Sequence, residues 1–140
     1  MDNINDKTFC MIVSKNKYHI GLNISDKPLD EIGFIFTNVK HIFDYLENGN
    51  YFCNILIPNN VKIIKYDYTS KWYADKIIIQ GFSDLRNLDF IKYLIKCGAK
   101  TNKSTCVKIY YWALNGGHQE IVYYLLTNYL SDVFIKTINI

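Results

Sequence analysis

Arginine occurs once in this chain, at Arg86, and proline and methionine occur twice each among 140 residues. Ile, Asn, Lys and Tyr take their place, a bias in kind that we read as the imprint of an A/T-rich genome. No apolar run approaches the ~20 residues needed to cross a bilayer. No C-x-x-C pair is present, and no G-x-x-x-x-G-K phosphate loop. No block of five like charges exists, and the lysines are scattered, which argues against a nucleic-acid module with a clustered basic face. The first residues, Met1 to Lys7, are polar and do not read as a signal peptide.

What is present suffices for a folded domain. Apolar residues make up 49% and charged residues 21%, so a core is affordable and disorder is not expected. The length fits one ordinary domain or two small ones packed together. The net charge of +3 is mild. Cys10, Cys53, Cys97 and Cys106 have neither metal-site spacing nor a secretory context, so they read as free thiols in a reducing compartment, with Cys97 a small buried hydrophobe.

Local patterns place the elements. Thr8 to Val13 reads as a strand, Lys15-Asn16-Lys17 as a turn, and Tyr18 to Asn23 as a weak strand that pairs back. Ser25 to Gly33, with Pro28, reads as a loop, and Gly33 to Phe36 as a short strand. Val39, Ile42, Phe43 and Leu46 then recur at i, i+3, i+4 and i+7, predicting a helix over Val39 to Glu47. Thr37 or Asn38 would cap it, and Gly49 would end it in a left-handed turn. Tyr51 to Ile57 reads as a strand ended by Pro58, and Val61 to Tyr66 with Trp72 to Gln80 as a hairpin. From Gly81 the pattern turns helical: Leu88 to Lys96, Val107 to Leu114 and Gln119 to Asn128, with Asn102 to Thr105 a polar connection. Ser131 to Ile140 fits either a helical turn or a strand.

The helical part resembles a known family. Gly117-His118-Gln119-Glu120-Ile121-Val122-Tyr123-Tyr124-Leu125-Leu126 is similar to the G-H-x-E-I-V-x-x-L-L signature of ankyrin repeats. Leu88 to Asn102 is similar to the second helix and G-A-D-x-N turn of a preceding repeat. Leu88 and Gln119 stand at equivalent places 31 residues apart, against a usual period of about 33. Lys108-Ile109-Tyr110-Tyr111 stands where the T-P-L-H tetrad is expected, and Tyr129-Leu130 where Gly-Ala is expected. Short motifs between Gly21 and Ile79, among them Gly33-Phe34-Ile35-Phe36-Thr37-Asn38 and Trp72-Tyr73-Ala74-Asp75-Lys76, resemble a leader region that precedes the repeats in ankyrin proteins of giant amoeba-infecting DNA viruses.

The resemblance implies an α+β chain: a small N-terminal β-sheet unit with one helix over residues 1–80, then a short stack of ankyrin-like helices over 81–130 and a tail over 131–140. With roughly one and a half to two degenerate repeats, the array falls short of the about three needed for stability, so it must lean on the β unit or on a second chain. Ile77 to Ile79 and Phe82 are the expected docking surface.

Site chemistry is sparse. His118 reads as the turn histidine of the repeat rather than a catalytic or metal-binding imidazole, and His19 and His41 lack neighbours at ligand spacing. Asp30-Glu31 and Asp44 with Glu47 read as solvated charges. Tyr66, Tyr68, Trp72 and Tyr73 with Lys62, Lys65, Lys71 and Lys76 form the nearest approach to an aromatic and basic patch, which fits a protein interface better than nucleic acid. The expectation is therefore a non-enzymatic protein-interaction module of viral origin, with no cofactor, metal, nucleic-acid or membrane role. Its partner would be a host or viral protein, met in the host cytoplasm or the virion. The expected contact residues are Tyr110, Tyr111, Asn115 and His118. The alternatives are a purely structural helical cap on an N-terminal domain that carries a binding or enzymatic activity, and a homodimer.

Overall fold

The computed structural model describes residues 4–26, 33–66 and 68–132. The expected loop over Ser25 to Gly33 and the tail over 131–140 therefore fall largely outside the described residues. Seven strands are described: β1 (Phe9–Val13), β2 (Gly21–Ile24), β3 (Phe34–Asn38), β4 (Tyr51–Leu56), β5 (Ile64–Lys65), β6 (Trp72–Ala74) and β7 (Lys76–Asp84). Three helices follow: α1 (Leu88–Lys96), α2 (Lys103–Gly116) and α3 (Gln119–Asn128). The strands form one antiparallel sheet in the order β2-β7-β4-β1-β3-β6-β5.

This corrects the expected architecture. The sheet is a large, seven-stranded one and not a small unit, and the structure does not show the helices as an ankyrin-like stack. β7 is nine residues long and continues through Gly81, where the pattern had read as the start of the helical part. It can do so because Asn54 pairs with Gly81 and Ile55 with Ile79, leaving Gln80 as a bulge. Asn54 Nδ2 donates to Gln80 Oε1 across that bulge at 3.0 Å. The long expected strand Trp72 to Gln80 is also two strands, split at Asp75: β6 pairs with β3 and β5, and β7 with β4 and β2. β2 accordingly joins β7 rather than pairing back on β1.

The split dictates the shape of the sheet. In a flat sheet β6 and β7 would lie about 19 Å apart, four inter-strand spacings. Ala74 and Lys76 are joined through a single residue, a reach of about 7 Å. The sheet therefore curls upon itself. Inside the curl lies one core of Met11, Val13, Phe36, Cys53, Ile55, Ala74, Ile77 and Ile79. On its outer face the alternate residues Cys10, Ile12 and Phe52 meet the helices, in a second core with Leu85, Ile91, Leu94, Ile109, Ala113, Ile121 and Leu125. Ile77 and Ile79, expected to receive the helices, instead point inward to the first core.

Val39, Ile42, Phe43 and Leu46 are all buried, as their spacing predicts, but the segment Val39–Asn48 is a 3₁₀ helix with a break in its geometry at Tyr45. Neither expected cap acts through its side chain. Asn38 makes no capping hydrogen bond, and Thr37 Oγ1 donates to the carbonyl of Ser70 at 2.7 Å. The first amides are taken by the N-terminal loop instead, Val39 N–H by Thr8 O and Lys40 N–H by Asp6 O. Gly49 has φ 157° and ψ −169°, outside the left-handed helical region expected of a helix stop. Glycine is required on two counts: that positive φ suits no other residue, and a Cβ there would collide with the backbone of Val13.

Candidate interaction surface

α2 begins earlier than the sequence suggests. Asn102 Oδ1 accepts from Thr105 N–H at 2.9 Å, so the expected polar connection is a capped first turn. Thr105 and Cys106 are buried in it. The residues equated with the turn tetrad, Lys108 to Tyr111, consequently lie in mid-helix. α2 packs against α3 on one side and the 3₁₀ helix on the other, where Lys108 Nζ meets Asp44 Oδ1 at 3.1 Å.

The turn between α2 and α3 is built by Gly117, whose φ of 75° suits glycine. His118 then turns back so that its ring lies 4.9 Å from that of Trp112, and a Cβ on Gly116 would strike it. His118 N–H donates to Ala113 O at 2.8 Å, and its carbonyl accepts from Val122 N–H at 3.1 Å. The imidazole is thus a packing group at the turn. α1 and α3 end alike: Ala99 N–H donates to Leu94 O at 3.0 Å and Leu130 N–H to Leu125 O at 2.8 Å. The second stop needs no glycine, because Tyr129 makes it at a φ of −128°.

Tyr111 and Asn115 are exposed one helical turn apart on α2, and His118 is half-buried beyond its end, while Tyr110 is half-buried against the core with its ring edge-on to Tyr111. Beside them runs a shallow groove lined by Ala113, Leu114, His118, Val122, Tyr123 and Leu126. Leu114 is 49% and Tyr123 71% exposed. Neither was singled out in the sequence, since apolar residues at helical spacing read as core; the signal was that α3 carries more apolar positions than one face can bury.

The aromatic and basic patch divides. Lys65, Tyr68, Lys71 and Trp72 share an open groove with residues of the 3₁₀ helix, whereas the Tyr66 ring lies tilted against that of Tyr73, 5.0 Å between centroids. His41 has its pKa lowered by burial and by the nearby Lys100 and Lys40, against the opposing pull of Asp44. Among the described residues no cluster of three His, Cys, Asp or Glu is placed to hold a metal ion, and no helix is long and apolar enough to cross a membrane.

The chain is similar to proteins of Acanthamoeba polyphaga mimivirus that are provisionally named as ankyrin repeat proteins. One is 28% identical over 131 residues, covering 86% of this chain and 64% of the relative. Another is 30% identical over 120 residues, covering 76% of this chain and 39% of the relative. A third mimivirus protein, uncharacterised, is 33% identical over 86 residues, or 56% of this chain and 28% of its own length. The chain thus spans less than two thirds of the length of these relatives. No family model matches the chain, and no solved structure does.

Proposed function

We propose that the chain is a non-enzymatic protein-interaction module, and that it recognises a host or viral protein through the exposed side of α2 and its groove with α3. The observation that carries this reading is the pair of exposed Leu114 and Tyr123 lining that groove, with the exposed Tyr111 one turn before Leu114 on α2, in a chain whose relatives are named for a repeat. Large aromatic and apolar groups left in water beside a shallow groove are what an interface core requires. Tyr111, Asn115 and His118 supply polar edges around it. The setting is the infected host cell or the virion. Affinity capture from infected cells tests this: Tyr111→Ala with Asn115→Ala is expected to lose the partner that the unaltered chain retains, while the fold persists. Retention of every partner by that variant overturns the site.

A second reading has its own support. Phe90 and Phe52 meet across the sheet–helix boundary, and the helices bury a continuous core against Cys10, Ile12 and Phe52. On that reading the helices serve as a structural cap, and activity resides in the N-terminal residues. Unchanged partners across the α2 variants favour it.

A further inference from the structure

We propose that a second surface, the groove between the β5–β6 hairpin and the start of the 3₁₀ helix, binds an extended acidic segment of a protein partner. The proposal rests on the reading of the chain as a protein-interaction module, but uses a different face from the α2–α3 groove.

The groove encloses about 690 Å³ and is lined by Lys7, Lys40, Lys65 and Lys71, against the single carboxylate of Asp6 among the described lining residues. The ion pairs among the described residues are Arg86 with Asp84, Lys103 with Asp132 and Lys108 with Asp44. None of the four groove lysines is in that set, so their charges converge on one space without an acidic partner among the described residues. The sequence groups Lys65 with Lys71 but not with Lys7 and Lys40, since the four are spread over 64 positions.

The walls are held in place. On one side Thr37 Oγ1 donates to Ser70 O at 2.7 Å, Tyr45 Oη lies 3.4 Å from Ser70 Oγ, and Tyr66 N–H donates to Lys71 O at 3.0 Å. On the other, Lys40 N–H donates to Asp6 O at 3.1 Å and Lys100 N–H to Lys40 O at 3.0 Å. The backbone that carries the lysines is thus fixed, and only their side chains have to order when an anion arrives.

The ring geometry selects a peptide over a nucleic acid. Single-stranded nucleic acids are held by successive bases stacked on open aromatic faces. Here Lys65 lies over Trp72 at 5.4 Å, and Phe36 stacks near the same ring at 6.4 Å. Lys71 lies over Tyr45 at 5.5 Å. Of the rings lining the groove, Tyr68 alone stands fully clear, so no stacking series is available. What is available is an edge: β5 is the last strand of the sheet and, among the described residues, pairs with β6 alone. The backbone groups of this two-residue strand that face away from β6 can receive the end of an extended chain, and the preceding Ile63 is 37% exposed.

Fluorescence anisotropy with a fluorescein-labelled decaglutamate peptide tests the proposal on the full chain. The peptide is expected to bind, to bind more weakly as salt is raised, and to lose at least about tenfold in affinity with Lys65→Glu and Lys71→Glu together. Lys7→Glu with Lys40→Glu on the opposite wall is expected to do the same, which keeps the test decisive should the hairpin variant misfold by circular dichroism. Tyr111→Ala is expected to leave peptide binding unchanged, so failure here and failure at the α2 surface are told apart. Absence of binding, indifference to both charge reversals, or tighter binding of a ten-nucleotide oligothymidylate overturns the proposal.

Discussion

The rings of Phe52 on β4 and Phe90 on α1 meet edge to face with centroids 5.2 Å apart. Phe52 is fully buried, and Phe90 packs against the same core. This contact joins the sheet to the helices, and the two are expected to unfold as one body. Phe52→Ala is expected to cost about 3–5 kcal/mol in urea unfolding, and the double change with Phe90→Ala to show a coupling of about 0.5–1.5 kcal/mol. Separate unfolding transitions for sheet and helices in the unaltered chain would contradict it.

Thiol reactivity should follow burial. Burial pushes the Cys53 thiol up to about 12, and burial with the neighbouring Cys53 raises that of Cys10 well above its ordinary value. Only the thiolate attacks, so at about pH 8 both stay inert in the folded chain. Cys106 is also raised by burial, whereas Cys97 is half-exposed. A disulfide reagent should label Cys97 first, and denaturant should release all four thiols. Mass spectrometry of the labelled peptides reads the order.

The Asp84 carboxyl is held below its ordinary range by the side-chain hydrogen bonds of Arg86, at 2.9 and 2.8 Å, against partial burial and with help from the Arg86 backbone N–H. Arg86 Nη2 also donates to Tyr51 Oη at 3.1 Å, tying the end of β7 to β4. A carboxyl depressed in the folded state stabilises above its unfolded pKa of about 3.9 and loses that contribution as pH falls through the lower folded value. Asp84→Asn should therefore be less stable than the unaltered chain at neutral pH, with the gap closing in acid. Thermal melts across that range check the sign; a gap that widens in acid would contradict it.

These outcomes bear on what the residue pattern could disclose. α1 and α3 were legible in their positions because their signals are local: the apolar spacing of Leu88, Ile91, Leu94 and Ile95, and the glycine turn at Gly117. The buried face of Val39, Ile42, Phe43 and Leu46 was legible too, though spacing could not tell a 3₁₀ from an α-helix. Strands β1, β3 and β4 were legible, but the sheet they build was not. Its order depends on a break at Asp75 and a bulge at Gln80, both set by partners far away in sequence. At the α2 surface, Tyr111 and Asn115 stand exposed where the sequence placed them, whereas Leu114 and Tyr123 could be recognised only once the core was known.

The joint at Asp75 also sets an order of events. β7 is the last strand made, yet it lies between β2 and β4, so Leu22 finds Ile78 only 56 positions downstream. Until residues 76–84 leave the ribosome, β2 has no strand to pair with, since β7 is its neighbour in the sheet. Unpaired edges of that kind invite other chains, and long-range pairing is slow to form. Synthesis arrested before Asp84 would therefore leave a chain primed to aggregate, and the folding of the whole protein waits on nine residues near its middle.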